Sequence, residues 1–265
     1  MPSGSGLVVD VGGVAVLLET NDRPLVQMLE RRFHRFLNPA AEPDFRFAVT
    51  VDHDSEVAPE QDLEVFGEPD RWTTSRGDFR AEWNVRERRG RIQQALNPYA
   101  ADSVLRIVHT LVLAEQDGFL LHASSAIRNG RAFVFMGPSG SGKSTIVGLA
   151  PEDVTVLTDE VSYLKKIDGG YVAFGTPFAG EKSDLGEPAC APVAGVFALG
   201  WNEENRREPL GHAAAVRSLM RNILFFARDR ALVDRVFDTA CDCAASVPAE
   251  TLSFAPDARV WSMLE

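Results

Sequence analysis

Cysteine is scarce in this chain, and positive charges and long apolar stretches are also few. The 265 residues include three cysteines, an odd number that is too small for a disulfide framework. Lysine and arginine together number 27 against 38 aspartates and glutamates, so the formal net charge is −11. This charge argues against non-specific binding to nucleic acid or to an anionic membrane surface. No apolar run approaches the roughly 20 residues of a membrane-spanning helix, so no membrane association is expected.

The remaining composition is typical of a globular protein that forms one large domain or two modest ones. Hydrophobic residues make up 45% of the chain and charged residues 25%. The first residues, MPSGSGLVVDVGG, lack the basic start and apolar stretch of a secretion signal. Together with the few cysteines, this predicts a cytoplasmic location.

Residues 1–100 are predicted to form a β-rich accessory domain, which could also mediate homo-oligomerisation. Apolar residues alternate, or recur at helical spacing, in segments that predict a hairpin, a helix and three strands: Leu7–Leu18, Leu25–Leu37, Phe45–Val51, Leu63–Phe66 and Phe79–Val85. Arg86–Arg91 is interpreted as a polar connection. A further helix is expected to begin near Asp102 or Ser103, either of which could cap it, and to end near Glu115.

Residues 101–265 are predicted to form a second domain of the α/β class, which makes the whole chain α+β. Two strands joined at Asn129-Gly130 precede a helix from Lys143 to about Leu149 and a strand at Val154–Leu157. The apolar segment Val193–Leu199 predicts a buried strand. Amphipathic helices are expected at Gly211–Ala227 and Arg230–Cys243.

A glycine-rich segment at residues 137–145, here called the glycine loop, matches G-x-x-x-x-G-K-[ST]. Its members are Gly137, Pro138, Ser139, Gly140, Ser141, Gly142, Lys143, Ser144 and Thr145. Glycines allow backbone N–H groups to turn toward phosphate oxygens, and the following helix adds its positive end. Lys143 would reach the outer phosphates and Ser144 would offer its hydroxyl to Mg²⁺. The pattern predicts a site for ATP or GTP; the alternative is a glycine-rich turn without a ligand.

Two adjacent acids follow the next predicted strand. Asp159 would lie at the carboxyl end of that strand, where ligands of α/β sheets collect. Its carboxylate could hold Mg²⁺ or accept a proton from an attacking hydroxyl, or it could simply end the strand. Glu160, as a second metal ligand, would alternate to the other face of a regular strand. Both side chains can therefore reach one ion only if the chain bends between them.

The register of one hairpin places His122 near the glycine loop. Asn-Gly is a strong signal for a two-residue turn, so residue 128 faces residue 131. Counting back along both strands places His122 opposite Gly137, and directly opposed side chains share a face of the sheet. We therefore predict that the imidazole lies beside the loop, where it could assist catalysis, although a lone histidine is often structural.

Three segments resemble the catalytic domain of the HPr serine kinase family: LLHASSAIRNGRAFVFMGPSGSGKST, VLTDEVSYL and GTPFAGE. The resemblance implies a P-loop fold shared with phosphoenolpyruvate carboxykinase. It also implies that Asp159 is the base or a magnesium ligand and that His122 assists near the transferring phosphate. The family positions matched are His122, Lys143, Ser144, Asp159 and Glu160. The segment ending at Glu181-Lys182 could contact substrate or phosphate.

The chain also departs from that family. Thr145 replaces the acid that commonly follows the loop serine, and Glu160 replaces the second aspartate of the pair. The downstream signature of the bifunctional enzymes is missing. The chain is instead similar to shorter HPr-kinase-related proteins associated with modified-peptide gene clusters, which close with a strand and helix like Thr251–Trp261.

These features predict an ATP-dependent phosphotransferase that moves the γ-phosphoryl group to a hydroxyl, with a serine of a peptide or small protein as acceptor. ATP and Mg²⁺ are the expected cofactors, with GTP as an alternative to ATP. Two other functions remain open. One is a nucleotide-dependent switch or assembly factor without kinase activity, and the other is a kinase that acts on a small molecule.

Overall fold

A computed structural model describes residues 5–53, 62–68, 70–178 and 186–264. The protein is a mixed α/β chain with two sheets, and it divides into two compact units. The first contains the residues up to His109 together with Phe226–Arg230, and the second contains Thr110–Phe225 and the chain from Ala231 onward. The segment Glu181-Lys182, predicted to contact substrate, lies outside the described residues. None of the helices in the described ranges has the length and apolar character that crossing a membrane requires.

The first unit contains a seven-stranded sheet with the strand order β1-β2-β3-β7-β6-β5-β4. The pairs β2–β3 and β3–β7 are parallel, and the other neighbouring pairs are antiparallel. The strands are β1 (Ser5–Val11), β2 (Val14–Thr20), β3 (Phe45–Asp52), β4 (Glu64–Glu68), β5 (Arg71–Arg76), β6 (Phe79–Asn84) and β7 (Arg89–Ala95). The helices are α1 (Arg23–Phe33) and the first part of α2 (Tyr99–Glu115), which belongs to the second unit from Thr110 onward.

The predicted hairpin around Gly12-Gly13 is confirmed, but two strands of this sheet were not expected from the sequence. β5 and β7 are rich in arginine, threonine and glutamine, so apolar alternation alone does not identify them. In β7, residues 92 and 94 are buried while residues 91 and 93 are exposed. Arg89–Arg91, interpreted as part of a polar connection, therefore opens a strand with one solvated face.

The start of α2 also differs from the prediction at Asp102 or Ser103. The helix begins at Tyr99, and the Asn97 side-chain oxygen accepts hydrogen bonds from the backbone N–H groups of Tyr99 and Ala100, both at 2.9 Å. Asn97 therefore caps the helix, since its oxygen satisfies donors that have no partner within the first turn. Asp102 instead forms an ion pair with Arg32 at 2.8 Å.

The second unit is built on a nine-stranded sheet. Its strands are β8 (Gly118–Arg128), β9 (Arg131–Met136), β10 (Thr155–Thr158), β11 (Val161–Ile167), β12 (Gly170–Phe174), β13 (Cys190–Trp201), β14 (Arg206–Pro209), β15 (Ile223–Leu224) and β16 (Ala249–Phe254). The helices that follow α2 are α3 (Lys143–Gly148), α4 (His212–Asn222) and α5 (Arg230–Ser246), and a 3₁₀ helix spans Ala258–Met263. The strand and helix expected near the end of the chain are thus present.

Three of these strands run parallel, in the order β9-β13-β16. Met136 at the end of β9 pairs with Ala198, and Trp201 at the end of β13 pairs with Phe254 at the end of β16. Residues of β9 alternate between two apolar clusters, so both faces of the strand are buried; Val134 belongs to one and Phe135 to the other. The carboxyl ends of the three strands therefore lie at one edge of a well-packed sheet.

One predicted helix is interrupted. A continuous helix was expected over Gly211–Ala227, but α4 ends at Asn222 and Ile223 is extended, with φ −64° and ψ 128°. Ile223 and Leu224 then pair with Leu121 and Leu120 of β8. The apolar residues that suggested continued helical periodicity are explained by this short strand, since pairing in the sheet overrides local helix propensity.

The buried histidine of α2 leads to a prediction about acid stability. His109 is fully buried, and burial lowers its pKa from 6.5 to about 3. Between these values the unfolded chain binds a proton that the folded chain does not. The free energy of unfolding should therefore fall as the pH drops below 6.5, by about 1.4 kcal/mol per pH unit from this group. Urea unfolding of wild type and His109→Gln at pH values on both sides of 6.5 measures the difference in slope.

The exposed residue His34 provides the control for this experiment. His34→Gln also removes an imidazole, but not a buried one. Equal pH slopes in wild type and His109→Gln would contradict the assignment of the slope to His109.

Candidate functional site

The glycine loop leaves β9 and enters α3 at the edge where β9, β13 and β16 end. Gly142 precedes the first residue of α3 with φ +103°, a conformation that side-chain-bearing residues rarely adopt. A Cβ at this position would also lie 2.7 Å from Cζ of Phe254. The glycine of the sequence pattern is therefore required by backbone conformation and by space.

The first carbonyl groups of the loop accept hydrogen bonds from N–H groups of the loop itself. Lys143 Nζ donates hydrogen bonds to the carbonyl oxygens of Gly137 at 2.8 Å and Pro138 at 3.2 Å. The Ser141 backbone N–H also donates to the Pro138 oxygen, at 3.1 Å. The Lys143 side chain thus folds over the loop, with its ammonium group at the place where the chain turns.

Lys143 is largely shielded from water, with 8% of its surface exposed. Burial lowers the pKa of its ammonium group, and the nearby negative charge of Glu160 raises it in part. The carbonyl oxygen of Lys143 accepts a hydrogen bond from the buried Ser124 hydroxyl of β8 at 3.1 Å. The start of α3 is therefore tied to the neighbouring hairpin.

That hairpin has the predicted register. Asn129 and Gly130 form its two-residue turn, with φ +52° and +72°, and Arg128 faces Arg131. Pairing continues to Ala123 opposite Met136, one residue short of His122 and Gly137. On its other side, His122 pairs with Val161 of β11. His122 lines the same cavity as Lys143, so the predicted proximity to the loop is confirmed, while its catalytic role stays a prediction.

The acidic pair lies in a bend between two strands. β10 ends at Thr158 and β11 begins at Val161, which leaves Asp159 and Glu160 in the connection. The Thr158 hydroxyl accepts hydrogen bonds from the backbone N–H groups of Glu160 at 3.3 Å and Val161 at 3.2 Å. Because the chain bends here, both carboxylates line one cavity instead of pointing to opposite faces of a strand.

The cavity that these elements enclose has a volume of about 390 Å³. Its lining combines most of the loop with both acids and one tryptophan: His122, Ser139, Gly140, Gly142, Lys143, Ser144, Thr145, Asp159, Glu160 and Trp201. The predicted loop residues Gly137, Pro138 and Ser141 are not part of this lining. Ser141 is buried, and its hydroxyl oxygen lies 2.6 Å from the position that a Cβ on Gly137 would take.

Among the described residues, no three His, Cys, Asp or Glu side chains cluster as a metal site. The predicted metal ligands Ser144, Asp159 and Glu160 nevertheless border the same cavity. Two carboxylates and a hydroxyl are hard oxygen donors of the kind that Mg²⁺ accepts together with water and substrate phosphates. The residues therefore fit such an ion, although their role as ligands stays a prediction.

The sequence prediction did not include Trp201 or Phe254. Trp201 donates a hydrogen bond from Nε1 to the Gly140 oxygen at 2.7 Å, and its ring stacks on Phe254 with centroids 5.0 Å apart. Both residues end parallel strands, but they are far from the loop in the sequence. No local pattern indicates this contact, because it depends on the order of β9, β13 and β16 in the sheet.

The arrangement defines the class of protein: a mixed α/β chain with a glycine-rich strand–loop–helix connection beside an acidic bend. A family model described as SynChlorMet cassette protein ScmC matches residues 94–265, which is more than half of the chain. The chain therefore belongs to the ScmC family. The match begins before α2 and covers all the residues of the cavity.

Other comparisons are weaker. No curated protein matches the chain. The structure of the Hpr(Ser) kinase/phosphatase from Coxiella burnetii is similar over 54% of this chain and 90% of that chain, with 9% sequence identity and a TM-score of 0.32. A likeness at this level carries no argument about mechanism.

The geometry of Gly142 predicts a local stability effect. Gly142→Ala should destabilise the protein by about 1–3 kcal/mol, because the backbone conformation is strained for alanine and the added methyl group meets Phe254. Urea unfolding measures the change. Gly148→Ala is the matched control, since Gly148 ends the same helix with open space around it. It should be neutral or slightly stabilising. Equal effects of the two substitutions would contradict the described conformation of the loop.

Proposed function

We propose that this protein is an ATP-dependent phosphotransferase whose active site is the cavity between the glycine loop and the acidic bend. The observation that carries the proposal is the convergence of Lys143, Ser144, Asp159 and Glu160 on one cavity. A glycine-rich turn without a ligand does not explain why a lysine with 8% of its surface exposed lines one cavity with two acidic residues. A phosphate-binding site does, because nucleotide phosphates and a metal ion would balance these charges.

The nucleotide would be held mainly by its phosphates. Backbone N–H groups of the loop and the first turn of α3 would face phosphate oxygens, and Lys143 would leave its loop carbonyls to reach the outer phosphates. This movement of the Lys143 side chain is favourable because a hydrogen bond to an anionic phosphate oxygen is stronger than one to a neutral carbonyl oxygen. We propose ATP as the nucleotide, with GTP as the alternative that binding measurements would separate.

A magnesium ion would be held by the Ser144 hydroxyl and by Asp159, with Glu160 as a further oxygen donor. When bound, it would neutralise charge that develops on the phosphates. Lys143 and the loop amides would hold the γ-phosphoryl group in line with the attacking oxygen.

We propose that Asp159 also serves the acceptor hydroxyl. In the transfer, the proton of the acceptor hydroxyl would pass to the Asp159 carboxylate, and the acceptor oxygen would form a bond to the γ-phosphorus. The bond between this phosphorus and the β–γ bridging oxygen would break, and ADP would be released. His122, which lines the same cavity, would orient the acceptor or the transferring group.

The acceptor is proposed to be a serine of a peptide or small protein. Support comes from the resemblance to serine kinases in the loop and acidic segments. The family description, which refers to a cassette, directs the search to products encoded together with this protein.

The first test of nucleotide binding concerns Lys143. Lys143→Ala should weaken Mg-ATP binding about 10- to 100-fold, because it removes a charge-assisted contact to the outer phosphates. Calorimetric titration measures the affinity. Saturating Mg-ATP should also raise the melting temperature of the wild type by mass action, with little shift in the variant. Lys165→Ala is the control, since Lys165 lies in β11 outside the cavity lining. Unchanged affinity in Lys143→Ala would exclude the phosphate site.

The test of the reaction concerns Asp159. Asp159→Asn keeps the shape of the side chain but loses its charge. A role as proton acceptor predicts near-normal Mg-ATP affinity and a transfer rate lowered by about 10²- to 10⁴-fold. A role as metal ligand predicts weaker magnesium-dependent binding as well. Transfer is measured as label from γ-labelled ATP on a serine-containing acceptor. Label released only as free phosphate, at a rate that acceptors do not change, would favour a hydrolytic switch.

A further inference from the structure

Trp201 differs in environment from the other tryptophans. Its side chain is 49% exposed, whereas Trp72, Trp83 and Trp261 are buried. Trp201 ends β13 and borders the cavity. Its indole N–H and its aromatic ring make separate contacts, and both lead to the glycine loop.

The indole N–H makes a direct contact with the glycine loop. Nε1 donates to the carbonyl oxygen of Gly140 at 2.7 Å, which is within the normal range for an N–H···O hydrogen bond. In a trans peptide unit, the carbonyl of Gly140 and the N–H of Ser141 point in opposite directions. The Ser141 N–H donates to the Pro138 oxygen at 3.1 Å. Both ends of this peptide unit are thus held, which fixes its orientation.

The indole ring itself is held by Phe254. The two residues are register partners on β13 and β16, and their rings stack at 5.0 Å with an angle of 29° between planes. Gly142 approaches both rings, since a Cβ there would lie 2.7 Å from Phe254 and 3.1 Å from Trp201. The aromatic pair therefore connects the parallel strands to two glycines of the loop.

From this geometry we propose that Trp201 is a positioning residue that holds the glycine loop in its phosphate-binding conformation. The inference rests on the proposed nucleotide site. The indole N–H of Trp201 holds the Gly140 carbonyl oxygen and the Pro138 oxygen holds the Ser141 N–H, so this peptide unit of the loop is already ordered before a nucleotide binds. Preorganisation of this kind lowers the cost of ordering the loop on binding. Trp201 thus acts through the loop on nucleotide affinity and not on the transfer step.

The test uses Trp201→Phe, which keeps an aromatic ring on Phe254 but removes the N–H donor. Loss of one neutral hydrogen bond should raise the Kd and KM for Mg-ATP about 3- to 10-fold, while kcat stays within about twofold of wild type because the reacting groups are unchanged. A structural role alone would instead lower the urea midpoint without this split between KM and kcat. Trp83→Phe, in the other unit, controls for loss of a buried tryptophan.

The outcomes separate this inference from the proposed function. If wild type binds Mg-ATP and Trp201→Phe binds it equally well, the positioning role is overturned and the nucleotide site stands. If wild type binds no Mg-ATP, both are overturned.

A second measurement needs no variant. Mg-ATP should reduce acrylamide quenching of wild-type tryptophan fluorescence, because Trp201 is the exposed indole and borders the cavity. Saturating Mg-ATP without any change in quenching or emission would count against the contact between Trp201 and the liganded loop.

Discussion

The parallel alignment of β9, β13 and β16 is the constraint on which the candidate site depends. β9 is buried on both faces, so the point where the chain leaves the sheet at Gly137 is held by packing on two sides. The glycine loop therefore starts from a rigid support, while Pro138, Ser139, Gly140 and Ser144 remain exposed. Because parallel strands end at a common edge, Trp201 and Phe254 arrive beside that loop from distant parts of the chain.

The cavity also brings the ammonium group of Lys143 into a shielded environment near the negative charge of Glu160. A largely buried ammonium group has a lowered pKa, and the negative charge of Glu160 offsets part of that burial cost. Two loop carbonyls accept hydrogen bonds from the Lys143 ammonium group. These hydrogen bonds keep the Lys143 side chain inside the site. Because their acceptors are neutral, they are weaker than a hydrogen bond to a phosphate, which can replace them.

Hydrogen bonds to short polar side chains shape the surroundings of the site. The Thr158 hydroxyl supports the bend that carries Asp159 and Glu160, and the Ser124 hydroxyl ties the start of α3 to β8. Both hydroxyl-bearing residues are buried. Each thus satisfies a buried polar group and at the same time places a segment that borders the cavity. The site is therefore held from several directions, through contacts that do not themselves face a ligand.

Sequence patterns were sufficient to predict the features that depend on short stretches of chain. The glycine pattern located the loop, and the two-residue turn at Asn129-Gly130 determined the register that brings His122 beside it, because turn geometry leaves no freedom in pairing. Polar strands such as β7 show little apolar alternation, and the short strand that interrupts the expected Gly211–Ala227 helix pairs with β8, far earlier in the chain, so neither could be predicted. The shared cavity of Asp159 and Glu160 and the contact of Trp201 with Gly140 became evident from the three-dimensional fold alone. Those contacts depend on strand order and on a local bend, which no periodicity in the sequence encodes.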